Sequence, residues 1–187
     1  MIAALFVEKD GTYSGINDVE VWDQTYDARR YAGPHPVVAH PPCERWGRYW
    51  SGGPSAKVRR IKGDDDGCFE SALRSVRKWG GVLEHPEASH AWAAFGLVRP
   101  DKTGWTRRHL VGPYFEWTTQ VEQGHYGHRA RKKTWLLVVS PTIPPELEWG
   151  PSTAGFRPIK RLSRAENLAT PSAFRALLIT IAQWSAQ

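Results

Sequence analysis

Apolar residues in the first half of the chain fall in short runs separated by polar, turn-rich stretches. The run from Ile2 to Val7 (IAALFV), the run from Val19 to Trp22 (VEVW) and the run from Val37 to Ala39 are each too short for a helix and predict buried strands. The polar connection from Glu8 carries Gly11 and Gly15, both turn formers. From Cys68 to Trp79 the period changes. Phe69, Ala72, Leu73, Val76 and Trp79 recur at the spacing of one helix face, and Gly80-Gly81 supplies a stop. Val82-Leu83 then opens a further strand that ends in Glu84-His85-Pro86. A strand, a helix and a strand in succession predict a parallel crossover, with both strand ends on the same edge of the sheet.

The second half is less regular. A short helix is expected between Ala88 and Gly96. The stretch from Arg99 to Trp117 reads as irregular and aromatic, and a strand is expected within Thr118 to Tyr126. The run from Thr134 to Val139 (TWLLVV) predicts the clearest strand of this half. Proline-rich loop follows, through residues 141–162. Ser163 with Glu166 three residues on forms a capping-box pattern, Thr170-Pro171 restarts the chain, and an apolar helix is expected from Ser172 to Trp184. These elements predict one α/β domain over residues 1–187, with an α/β core in 1–140 and a C-terminal helix in 163–187.

Composition narrows the class. The chain has 187 residues, enough for one sizeable core, and no apolar run approaches the roughly 20 residues of a membrane helix. Two cysteines make no disulfide framework, and no signal-peptide pattern is visible, so a reduced cytoplasmic setting is expected. The net charge of +6 suits an acidic partner such as nucleic acid. Ten tryptophans serve either as core or, exposed beside arginines, as stacking platforms for bases. The segment from Ser51 to Asp66, with Lys57, Arg59, Arg60 and Lys62, reads as a basic loop without periodicity.

The candidate chemistry centres on PVVAHPPCERW, Pro36 to Trp46. Two prolines end the strand, since neither donates a ladder hydrogen bond, and they deliver Cys43 on a stiff loop. A cysteine after a buried strand is commonly inert. Here His40, Arg45 and Arg48 predict electropositive surroundings that lower the thiol pKa. Glu84, also at a strand end, can hydrogen-bond a base edge or simply form a loop ion pair. The turn from Gly127 to Lys133 (GHRARKK) collects Arg129, Arg131, Lys132 and Lys133, and such density calls for an anion, phosphate being the usual one. His40-x-x-Cys43 and His125-x-x-His128 have ligand-like spacing, with His85 and His90 as further nitrogen donors. No second Cys-x-x-Cys or His-Glu-x-x-His pattern accompanies them, and no metal is assigned.

His40-Pro41-Pro42-Cys43, Leu83-Glu84-His85-Pro86 and Tyr126-Gly127-His128-Arg129-Ala130-Arg131 occur in an order that resembles cytosine-5 DNA methyltransferases. More closely, the chain looks like the small phage and prophage proteins of methyltransferase-like type, over roughly Val37 to Val139. The resemblance implies a three-layer α/β sandwich with a Rossmann-like methyltransferase sheet. Cys43 would be the nucleophile for C6 of a flipped cytosine, Glu84 the partner of N3, and Arg131 the supporting arginine, with Arg129 or Lys133 as its basic companion. It also implies S-adenosylmethionine as cofactor, with Phe6, Gly11, Asp23, Asp27 and Pro41 at its site. DNA would be met by Arg45, Trp46, Arg129 and Lys133, with Trp50 beside them. Two departures stand out. Only about a dozen residues join the first two strands, which predicts a crossover helix shortened or absent at the cofactor end. No separate target-recognition domain is present. Two alternatives follow: a base- or nucleotide-modifying enzyme that does without S-adenosylmethionine, and a non-catalytic protein that binds nucleic acid or a host factor.

Overall fold

The computed structural model describes residues 1–52, 57–153, 162, 163, 166 and 168–186. Seven strands form one mixed sheet: β1 (Ile2–Leu5), β2 (Val19–Trp22), β3 (Val37–Ala39), β4 (Gly81–Pro86), β5 (Thr106–His109), β6 (Phe115–Glu122) and β7 (Lys133–Ser140). Their order across the sheet is β2-β1-β3-β4-β7-β6-β5. The first four strands in this order are parallel, and β7 runs antiparallel to both β4 and β6. Helices α1 (Cys68–Trp79), α2 (His90–Ala94) and α3 (Ser172–Ser185) accompany the sheet.

Strand alternation explains why both faces of the sheet are apolar. Ala3, Leu5, Val37, Ala39, Leu83 and Leu137 point to the side of α1, where Phe69, Ala72, Leu73 and Val76 meet them. Ile2, Ala4, Val38, Val82, Leu136 and Val138 point to the other side, where α3 presents Phe174, Leu178 and Ile181. A sheet covered on both faces needs continuous rather than alternating apolar strands, which is the pattern of β1 and β3. Each fully buried Leu, Ile or Phe here contributes about 1.5–3 kcal/mol of transfer free energy. Gly81 opens β4 at φ 111°, and a Cβ there would lie 2.0 Å from the Val37 carbonyl oxygen. The Gly80-Gly81 pair thus ends α1 and also lets β4 close against β3.

The connection from β1 to β2, residues 6–18, contains turns and no helix. Phe6, Asp10 and Asp18 take positive φ values that reverse the chain without one. The crossover helix is thus absent here, as the short spacing of the first two strands predicts. The connection from β2 to β3 holds a single 3-10 turn, Ala28–Arg30.

The irregular reading of residues 99–117 is corrected. That stretch contains β5 and the first part of β6. Both carry charge where hydrophobic periodicity expects apolar residues. Glu116 is fully buried because Arg77 of α1 and Arg108 of β5 both bind its carboxylate, Arg77 at 2.7 Å. Arg107 lies over the rings of Phe115 and Trp117, 4.8 and 5.4 Å from their centroids. The capping box is present: Ser163 N donates to Glu166 Oε2 (2.9 Å) and Glu166 N donates to Ser163 Oγ (3.2 Å). Residues 53–56 of the basic loop and 154–161 of the proline-rich loop lie outside the described residues. Among the described residues no helix is long and apolar enough to cross a membrane.

Candidate active site

β2 and β3 lie on opposite sides of β1, so the chain reverses its winding direction between β1 and β3. In open α/β sheets the crevice outside the carboxyl ends at such a point is where ligands bind. A cavity of about 1850 Å³ opens there. Its walls come from the residues that follow three neighbouring strands: Phe6 to Glu8 after β1, His40 to Cys43 after β3, and Glu84 to Glu87 at the end of β4.

The prolines act as the sequence suggests. His40 N still donates to the Leu5 carbonyl (3.0 Å), and the ladder then stops at Pro41-Pro42. Cys43 begins a turn in which its carbonyl accepts from Trp46 N (3.1 Å) and Gly47 N (2.7 Å). The thiol is half-buried at the cavity wall.

Glu84 reaches the same cavity from β4. Its side chain is 15% exposed, and its two oxygens have separate partners. Oε2 lies 3.1 Å from His40 Nδ1, and Oε1 accepts from Gln123 Nε2 at 3.2 Å. His40 Nε2 lies 2.8 Å from the Tyr13 hydroxyl, and Gln123 Nε2 donates to Thr134 Oγ1 at 2.9 Å. A consistent set of donors runs from Tyr13 O–H to His40, from His40 Nδ1–H to Glu84, and from Gln123 to Glu84. Two side-chain oxygens that accept one bond each retain capacity for a ligand.

The electrostatics correct one expectation. Burial pushes the Cys43 thiol above its ordinary value, and the Glu84 carboxylate adds to the rise. His40, Arg45 and Arg48 do not produce an electropositive pocket around it. His40 is turned to Glu84 and Tyr13, Arg48 Nη2 lies 3.8 Å from Glu87, and Arg45 does not line the cavity. The cation that does act on the thiol is Lys132. Burial alone would raise Glu84, but the His40 hydrogen bond, helped by Lys132, leaves its carboxyl below the ordinary range. Burial lowers Lys132 in turn, against the pull of Glu84 and Cys43. Lys132 sits at φ 34° and donates from Nζ to the Ala169 carbonyl (3.1 Å). A non-glycine residue held there stores about 1–3 kcal/mol of strain. The resting site is therefore a neutral thiol beside an ionised carboxylate.

No family model matches the chain, and no curated protein matches it.

Of the residues assigned to DNA, the structure brings only some to the cavity. Arg131 and Lys133 line it. Arg131 Nε also lies 3.7 Å from Glu122. Arg129 instead pairs with Glu166 and does not line the cavity, so Lys133 is the companion of Arg131 there. Trp46 is a correction. It is buried, its Nε1 donates to Asp65 Oδ2 (2.8 Å), and Phe69 and Phe95 pack on its ring, which leaves no face for a base. Arg45 is a second correction, because its Nη1 is buried and away from the cavity. Trp50 does line the cavity, with Lys62 Nζ 5.6 Å from its ring centroid.

The residues assigned to the cofactor divide in the same way. Phe6 and Pro41 line the cavity. Gly11 closes a tight turn, its N–H donating to the Glu8 carbonyl (3.1 Å), and does not face it. Asp23 is buried and accepts from Thr25 N (2.7 Å), while Asp27 caps the 3-10 turn and binds Arg29 through both oxygens (2.8 and 2.9 Å). Neither aspartate lines the cavity. Glu8 and Gln24, at the ends of β1 and β2, do. A carboxylate that accepts and an amide that both accepts and donates, at those strand ends, fit the hydroxyls of a nucleoside-bearing cofactor.

His85 stands apart from this chemistry. It is fully buried, 5.1 Å from the Phe69 ring and stacked 6.3 Å from Trp92, and burial holds its pKa down at about 4. His128 binds the Ala130 and Glu166 carbonyls, and His125 the Gly150 carbonyl. Among the described residues no three His, Cys, Asp or Glu side chains are placed to share a metal ion. Tyr13 and Gln123 are the site residues that sequence reasoning missed, and Lys132 was read there only as one cation of the basic turn. Each reaches Glu84 or its partners only through the fold, and the one local signal was the position of Lys132 between Arg131 and Lys133.

Proposed function

We propose that the chain is a base-modifying enzyme of the cytosine-5 methyltransferase type, acting on a cytosine in nucleic acid with Cys43 as nucleophile. The observation that carries this reading is that Cys43 and Glu84, from two different strand ends, meet in one cavity at the sheet's switch point with Lys132, Arg131 and Lys133 around it.

The protonation states suit the chemistry. Cys43 Sγ bonds to C6 of the ring as the C5–C6 π pair moves toward C5. The thiol proton passes to the ionised Glu84 carboxylate and from there to N3, where it neutralises the charge that attack pushes into the ring. Lys132 offsets the charge on sulfur while it is a thiolate. Once C5 carries its new substituent, loss of the C5 proton to a base in the cavity, departure of Sγ from C6 and return of the N3 proton through Glu84 to the departing thiolate restore the neutral aromatic ring. Arg131 and Lys133 hold the flanking phosphates. Phe6, Pro41, Glu8 and Gln24 would hold S-adenosylmethionine, which when bound supplies the methyl group for C5.

A second reading keeps Cys43 and Glu84 and dispenses with that cofactor. The absent β1–β2 helix and the turned-away Asp23 and Asp27 favour it. Incubation with S-adenosylmethionine and a cytosine-containing oligonucleotide separates the two, with 5-methylcytosine measured by mass spectrometry of the digested product. The first reading predicts 5-methylcytosine, abolished in C43S. Altered cytosine without a methyl group supports the second. An unaltered oligonucleotide contradicts both.

A further inference from the structure

We infer that the site takes its base from a single polynucleotide strand rather than from a duplex, an inference that rests on the base-modifying reading above. The carrying observation is the composition of the cavity mouth. Tyr49 is 76% exposed and stands next to Trp50, and both line the cavity. Trp50 is half-buried, whereas Trp46, Trp92, Trp117 and Trp135 are buried in the core. Arg48 and Arg60 lie on the same side of the mouth, and Arg131 and Lys133 come from the β7 side. Aromatic faces interleaved with cations on two sides suit a strand whose bases stack while its phosphates are neutralised.

What is missing for a duplex points the same way. A duplex is read by a helix or ribbon laid in a groove, and its target base must be driven out of the stack at a cost. No residue of α1, α2 or α3 lines the cavity. Helices α1 and α3 are spent on the two faces of the sheet, and α2 is a five-residue turn anchored by buried Trp92. Leu168 is the helical residue among the described lining, and one side chain is short of a helix laid along a groove. A single strand needs no such helix.

Fluorescence anisotropy of the full chain tests this at one fixed salt concentration. The probes are fluorescein-labelled 12-nucleotide dC and rC strands and a 12-base-pair duplex. We expect at least one of the strands to bind at least tenfold more tightly than the duplex, and the dC and rC arms identify the sugar. Tyr49→Ala and Trp50→Ala should each weaken strand binding about five- to a hundredfold, and Trp50→Phe should retain most of it. Arg60→Ala should lower the slope of log affinity against log salt by about 0.7. Equal or tighter duplex binding, or unchanged strand binding in Y49A/W50A with an unaltered melting curve, overturns the inference. In that event the base-modifying reading stands if Cys43 still forms an adduct with 5-fluorocytosine in the duplex. No binding to any probe, with an adduct on free 5-fluorodeoxycytidine monophosphate, overturns the inference alone. No binding and no adduct overturn both.

Discussion

Cys43 and Glu84 raise opposite demands on one proton. The carboxylate lifts the thiol pKa, and His40 with Lys132 keeps the carboxylate ionised. Removing the negative charge in Glu84→Gln should therefore lower the thiol pKa, while Lys132→Met should raise it further. The pH dependence of Cys43 alkylation by iodoacetamide, followed on the Cys43 peptide so that Cys68 is scored separately, reads both shifts. The same Glu84→Gln change should slow turnover by about 10²–10⁴, because it removes the group that carries the thiol proton to N3. A more reactive thiol in a slower enzyme would separate this role from simple nucleophile activation. At this scale the sequence was partly legible. Pro41-Pro42 announced the display of Cys43, because proline acts through its own geometry. The thiol's environment was not legible, because Arg45 is turned from the cavity, Arg48 lies against Glu87, and the cation that acts on the thiol, Lys132, arrives through the fold. Trp46 illustrates the same limit: a tryptophan between arginines reads equally as platform or core, and Asp65, Phe69 and Phe95 decide it.

Elements were legible in proportion to how much of their stability is hydrophobic. β1, β3, α1 and α3 announce themselves by apolar runs or a 3.6-residue period, since each buries its face in the core. β5 and the first residues of β6 hide because pairs across elements hold them. Glu116 needs two arginines from other elements before it can be buried. Glu116→Ala should leave Arg77 and Arg108 without their shared partner. Both arginines are more than a third exposed, so the loss should be about 1–3 kcal/mol rather than the full cost of a broken buried pair, measured by urea denaturation. Gly81→Ala should cost more than an exposed glycine substitution, whose ordinary range is within about 1 kcal/mol, because its Cβ would collide with the Val37 backbone at the β3–β4 junction. That junction also sets the spacing of Cys43 and Glu84, so the variant should lose activity before it loses fold.

For the molecule as a whole, acid should be a specific threat. Folded His85 holds its proton only below about pH 4, whereas the unfolded side chain binds it from the ordinary value of 6.5 downward. The unfolded state thus carries more protons between these values, and stability falls as pH drops through that window, by about 3 kcal/mol from this residue. Glu84 adds a loss below its ordinary carboxyl range, with the same sign. His85→Phe keeps an aromatic ring between Phe69 and Trp92 and should flatten the fall between pH 6.5 and 4 in thermal melts, leaving only the lower carboxylate limb. The site itself belongs to this scale, since it draws on β1, β3, β4, the turn before β7 and the residues before α3. The most direct test of the account is intact-mass and peptide analysis after incubation with S-adenosylmethionine and an oligonucleotide carrying 5-fluorocytosine. Fluorine cannot leave C5 as a proton does, so the bond from Cys43 to C6 persists. The account predicts one oligonucleotide added per chain, mapped to Cys43, absent in C43S and strongly reduced in E84Q. No adduct, or an adduct on Cys68, would contradict it.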